Sequence, residues 1–307
     1  MFQRQRRFAA YGSAALLVLA MFTATSETSA TAATAARRSQ QLCGPGSAIR
    51  FDRDSYPSSP RIDNKWFPLT PGMQYTTTGT VTDADGTVAH KVVHTVTGLT
   101  KVIDGVKTLV MWDRDYSGGV LAESELAFFA QSDKGDVWLF GEYPEEYENG
   151  KLVGAPSTFI SGIDRARAGT AMQARPHRNT PAYVQAYAPK VDFLDCGDVL
   201  HDNLRVCVPT GYYTDVLVID EFNPLDPPSA GHQRKYYSAG TGLVKVTASG
   251  GDSRESMDLV KIKKLSRLKL AHVNAQALAL DNRGYTVSKD VYAKTPRAVV
   301  DFPHTGS

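Results

Sequence analysis

From Ile49 to Ile262 apolar and polar residues alternate with a period of two, the signature of half-buried strands. In "TLVMWDRDY", Leu109, Met111, Asp113 and Asp115 share one face, and Val110, Trp112, Arg114 and Tyr116 share the other. Asp85-Gly86, Asp104-Gly105, Gly118-Gly119, Lys134-Gly135 and Asn149-Gly150 punctuate the pattern every 14 to 19 residues. Such dipeptides tolerate positive φ and suit tight hairpins. Further runs, "YVQAYAP", "LRVCV", "YTDVLVIDEF", "QRKYYS", "GLVKVTA" and "ESMDLVKIKKL", also read as strands. The pattern predicts roughly ten to thirteen sequential antiparallel strands. A meander of that length must hide its edges, which predicts a barrel, half-barrel or sandwich. A short helix is expected near 162–172.

The period changes once. Ser266 can cap "RLKLAHVNAQALALDN", and Gly284 stands where a left-handed C-terminal residue belongs. Leu268, Ala271, Ala275, Leu278 and Ala279 fall on one face, the stripe expected to pack on the sheet. The predicted organisation is 1–36 signal peptide, 37–48 linker, 49–265 antiparallel β domain, 266–284 C-terminal helix and 285–307 extended or disordered tail.

The signal peptide rests on order: basic Arg4, Arg6 and Arg7, an apolar run from Phe8 to Ala24, then small residues with Ala30-Thr31-Ala32 as a cleavage pattern. Against an uncleaved anchor stand the shortness of the run and Gly12. Secretion is therefore expected, without stable membrane insertion after cleavage. Removal of 1–36 leaves 31 basic against 31 acidic side chains, no general reason to bind nucleic acid. Of three cysteines, Cys196 and Cys207 form the expected disulfide and Cys43 is left over. No CxxC, HxH or HExxH is present, so neither metal nor cofactor is expected.

The densest chemistry lies in "GDVWLFGEYPEEYENGK", residues 135–151. It reads as a strand ended by Pro144, then acids in a solvated turn. Glu142 paired with Glu145, Glu146 or Glu148 could instead form the two carboxylates of a glycosidase, which must face each other roughly 5 to 9 Å apart. Trp112, Trp138 and Phe140 are candidate ligand-binding aromatics. His201 and Asp202, in a loop between two cysteines, are a second catalytic candidate, with no G-x-S-x-G nucleophile. A turn at Gly118-Gly119 sets Asp113 across from Glu123, a like-charge pair. His90 and His94 share a strand face and are expected to meet solvent.

"IDNKWFPLTPG", "KVIDGVKT", "AQSDKGDVWLFGE", "YENGK" and "RKYYSAGTGLVK" recur in that order between 62 and 245. This set resembles a group of secreted bacterial β-rich proteins of uncharacterised function. The resemblance implies no activity and assigns no catalytic residue. In architecture the meander is similar to lipocalin-like and lipoprotein-carrier curved sheets, by analogy only.

Three functional classes follow. The leading expectation is a secreted binding or carrier protein for an apolar or amphipathic small ligand, not an enzyme. The alternatives are an extracellular hydrolase or lyase acting on a polysaccharide-like polymer through Glu142, Glu146, His201 or Asp202, and an envelope interaction protein. The first needs a cavity, the second convergent polar groups, and the third an exposed apolar patch or open strand edge.

Overall fold

A computed structural model describes residues 41–301; the expected signal peptide lies outside them. Twelve antiparallel strands close into a barrel. In chain order they are β1 (Met73–Asp83), β2 (Gly86–Ile103), β3 (Val106–Ser117), β4 (Val120–Gln131) and β5 (Val137–Glu148), with β6 (Lys151–Gly154) and β7 (Phe159–Ile160) as short side strands on β5. The wall continues through β8 (Arg167–Met172), β9 (Tyr183–Ala188), β10 (Phe193–Val208), β11 (Gly211–Phe222), β12 (His232–Ser238), β13 (Gly242–Ser249) and β14 (Arg254–Lys264). β14 pairs with β1, and β1 with β2, which closes the ring. Closure resolves the choice among barrel, half-barrel and sandwich.

The turn chemistry explains the regularity. Asp104 and Gly105, and Asn149 and Gly150, all have positive φ, the conformation that matches strand twist in a two-residue hairpin. Pro144 does not end its strand; it pairs with Glu125 inside β5. On its other flank β5 meets β7 at Gly141 and Glu142 and β6 from Glu146 onward, so no strand adjoins Pro144 there. A missing N–H is tolerated where a strand has a free flank. The helix expected near 162–172 is absent: Asp164 and Arg165 have positive φ in a turn, and β8 follows.

Two cores lie on opposite sides of the wall. The inner one joins residues from strands all around the ring, including Leu109, Met111, Phe129, Leu139, Leu217, Ile219 and Tyr237. The outer one joins Leu99, Val110, Trp112, Phe128, Trp138 and Phe140 to the helix α1 (Arg267–Val287) and to Phe51 and Tyr56 of the N-terminal segment. The alternation in β3 thus reports inside against outside.

Ser266 caps α1 as expected, its hydroxyl accepting from the Lys269 N–H. The buried face differs from the expected stripe. Leu268 is 85% exposed, and Ala271, Ala275 and Ala279 also face solvent. Val273, Asn274, Ala277, Leu280, Asp281 and Gly284 are buried instead. Polar contacts set this rotation. The Gly98 N–H donates to Asn274 Oδ1 at 2.9 Å, and Lys101 Nζ donates to Asp281 Oδ1 at 2.9 Å. Gly284 is a helical residue, and its missing side chain makes room for the Tyr292 ring. Beyond α1, Tyr292 is fully buried and β15 (Val299–Val300) pairs with β2, so the segment through Asp301 is ordered onto the barrel.

The disulfide is Cys43–Cys196, and Cys207 is a free, exposed thiol. The expected Cys196–Cys207 bridge fails because both residues lie on β10, eleven positions apart. At 3.2–3.4 Å per residue an extended strand holds them roughly 35 Å apart, far beyond the reach of a disulfide. The bridge formed instead pins the N-terminal segment to the outer wall.

A candidate ligand-binding lumen

The chain before β1 seals one end of the barrel. Ile62, Trp66 and Leu69, with Phe67 beside them, enter the inner core. Asn64 latches this plug: its Nδ2 donates to the Gly135 and Gln173 carbonyls, and its Oδ1 accepts from the Trp66 and Phe67 N–H groups. Gln131 Oε1 accepts from the N–H groups of Asp63 and Asn64. The "IDNKWFPLTPG" phrase is therefore a stopper whose aromatics form an apolar floor.

Toward the other end, the same inward positions turn polar. On β2 the series Val96, His94, Val92, His90 leads away from the floor; on β3, Leu109 and Met111 give way to Asp113 and Asp115. On β4, Phe129 and Ala127 give way to Glu125 and Glu123, and on β5 Leu139 gives way to Glu142. Asp113 stands opposite Glu125, and Asp115 opposite Glu123, one pair removed from the expected register. Ala127 stands opposite Glu142.

His90, His94 and Lys235 each lie against a carboxylate. His94 Nδ1 lies 2.9 Å from Asp113 Oδ1. His90 sits between Asp115 and Glu255, 2.7 Å from each. Lys235 Nζ is 2.5 Å from Glu221 Oε2, and Gln185 Nε2 donates to Glu221 Oε1. Both histidines, expected in solvent, are buried because their face of β2 is the inner one. Glu125 and Glu142 are only 4% and 3% exposed. Burial, then the nearby Glu142 and Asp113 carboxylates, push the Glu125 carboxyl well above its ordinary range. Glu142 is pushed up to about 8, chiefly by burial, with Asp195 and Glu123 adding to it and Lys235 opposing. At about 8, Glu142 holds its proton at neutral pH, and a cation beside either carboxyl favours its ionised form. A small, half-open cleft on the His94 side is lined by residues such as His94, Lys235, Glu255, Val246 and Met257, and neither Glu125 nor Glu142 is among its walls.

The sequence candidates separate. Glu142 enters the lumen; the solvated turn expected for it is wrong, as it is for fully buried Glu145. Glu145 ties the wall to α1, taking hydrogen bonds from Arg283, Tyr143 and Tyr147. Glu146 is half-buried at the outer end of β5. His201 and Asp202 belong to β10 rather than a loop, and Asp202 Oδ2 accepts from the Arg178 N–H. Among the described residues no hydrogen bond or ion pair joins either to Glu142 or Glu146. Trp112, Trp138 and Phe140 lie on the outer face. Trp138 and Phe140 pack against Phe51 and Tyr56, and Trp112 donates to Ser124 Oγ. Sequence reasoning missed Glu125, Glu221, Lys235 and Glu255. A usable signal existed: acids spaced by two, on the face that also carries Met111 and Phe129. Among the described residues no three His, Cys, Asp or Glu side chains are placed to hold a metal ion.

No family model and no curated protein matches the chain. Crystal structures that resemble it distantly include the following three. A Bacteroides fragilis protein described provisionally as exported, with a YmcC-like fold, is 15% identical, TM-score 0.39, over 66% of this chain and 100% of its own. A Parabacteroides distasonis protein described provisionally as a lipoprotein is 12% identical, TM-score 0.34, over 66% and 100%. A beta-barrel-like protein of a domain of unknown function from Brucella abortus is 10% identical, TM-score 0.36, over 68% and 100%. At these scores nothing transfers from them, and the barrel rests on its own strand pairing.

Proposed function

We propose that this is a secreted binding protein that carries a small amphipathic ligand in its barrel lumen. The observation that carries the reading is the division of the lumen: an apolar, plugged floor beneath a belt of buried polar groups whose acceptors are incompletely satisfied. Asp113 Oδ2, Glu125 Oε1, Glu142 Oε1 and Gln185 Oε1 are buried without a hydrogen-bond partner. Buried polar atoms are normally paired, so a cluster of unpaired acceptors favours a ligand that supplies donors. A polymer-cleaving enzyme is less well supported, because Glu142, Glu146, His201 and Asp202 do not converge. Edge-to-edge assembly is also less well supported, since β1–β2 pairing closes the ring.

Native mass spectrometry of protein from its own culture supernatant, before and after denaturation, tests this. A small mass lost on denaturation supports carriage and identifies the ligand. A uniformly ligand-free protein that also takes up no amphipathic probe would overturn it.

A further inference from the structure

Resting on the binding reading, we infer that Glu125, Glu142 and Asp113 form a site for the cationic head of an amphipathic ligand, an organic ammonium or guanidinium, with its hydrocarbon part toward the plugged floor. The charge inventory leads there. Lys235, His90 and His94 each already lie against a carboxylate, on Glu221, on Asp115 and Glu255, and on Asp113 respectively. No ion pair involves Glu125 or Glu142 among the described residues, and each keeps a buried oxygen without a hydrogen-bond partner, as does Asp113. Register gathers the three. Asp113 is the cross-strand neighbour of Glu125, and Glu142 is the neighbour of Ala127, two positions along the same face of β4. A cationic N–H group offers these acceptors a charge-assisted hydrogen bond, which a neutral hydroxyl or an anion cannot do.

Apolar groups begin one step below. Ala127 lies beside Glu142, then Phe129, Met111 and Leu139 of the inner core follow toward Trp66. A bare metal ion fits less well, since it would leave this apolar side without a partner, whereas an alkyl amine uses both. The cleft bounded by His94 and Lys235 adjoins the site, because His94 holds Asp113 in place.

The test compares three probes of equal chain length, hexylammonium, hexanol and hexanoate, by titration calorimetry on the intact, disulfide-bonded protein. The expected result is hexylammonium binding about tenfold or more tighter than either other probe, the scale of a charge-assisted hydrogen bond. The double variant Glu125→Gln, Glu142→Gln should lose that preference while still binding hexanol as the wild type does. Glutamine keeps the shape of a protonated carboxyl, and circular dichroism checks that the variant is folded. Glu148→Gln, in the exposed β5–β6 turn, should leave the preference unchanged. Hexanol or hexanoate binding as tightly as hexylammonium would overturn the cationic site and leave the carrier reading standing. A preference that survives the double variant would also overturn it. No binding by any probe would overturn the inference and count against the carrier reading itself.

Discussion

Lys101 is the residue whose loss should reveal how the C-terminal helix is held. Its side chain is fully buried at the β2–α1 contact, and its three donors are used by Asp281 Oδ1, the Tyr285 hydroxyl and the Pro296 carbonyl. Tyr292 lies under the ammonium, 4.3 Å from ring centroid to Nζ. Burial lowers the lysine pKa and the Asp281 carboxylate opposes that drop. Lys101→Met keeps the aliphatic stem but strands Asp281, 1% exposed, with only the Tyr292 hydroxyl and the Ala298 N–H as donors. Removing one partner of a buried pair costs about 3–5 kcal/mol, mostly because the other charge is left behind. For a domain of this size that lowers Tm by roughly 10 °C. Urea unfolding of Lys101→Met, Asp281→Asn and the double variant gives the coupling, and hydrogen exchange along 267–287 reports whether α1 loosens first. The double variant should be clearly more stable than the sum of the two single losses predicts. A single-variant loss below about 1 kcal/mol, or strictly additive losses, would refute the claim that this pair anchors the helix.

Three further outcomes are expected. Thiol titration of native protein should find one reactive cysteine, Cys207; Cys43→Ser should destabilise by about 2–5 kcal/mol because the bridge spans 153 residues, whereas Cys207→Ser should be neutral. Gly284→Ala, normally worth about 1 kcal/mol of stabilisation in a helix, should lower Tm instead, since a Cβ would meet the Tyr292 ring at 2.5 Å; a rise in Tm would show that the ring yields freely. Stability should fall as pH rises from 6.5 to 9.5 at constant salt. Burial disfavours the His90 charge, but Asp115 and Glu255 prevail and hold it at about 9. Because that value exceeds the unfolded one, its stabilisation is complete below about pH 6.5 and is lost as pH passes about 9. Glu142, also raised, has the same sign, its penalty growing from about pH 4.5 up to about 8. A flat or rising curve over this range would contradict both assignments, and His90→Gln should remove part of the slope.

The linear pattern of the chain determined the strands, their hairpins and the helix cap, because these depend on residues within a few positions of one another. Asp104-Gly105 makes its turn wherever it sits, and alternation in "TLVMWDRDY" separates two faces whatever lies behind them. It also carried the lumen acids, as Asp113, Asp115, Glu123 and Glu125 at spacing two, but without saying which face was inside. Only the tertiary structure decided that. Ring closure put the acids and both histidines inward and Trp112 and Trp138 outward. The buried face of α1 was likewise set by distant partners: Asn274 faces inward for Gly98 and Asp281 for Lys101, so a stripe chosen on hydrophobicity pointed to solvent at all but Leu278, which packs on the outer core. The disulfide follows the same logic. A strand is stiff and extended, so Cys196 cannot reach Cys207 eleven residues along β10, yet it meets Cys43 where the N-terminal segment crosses the wall.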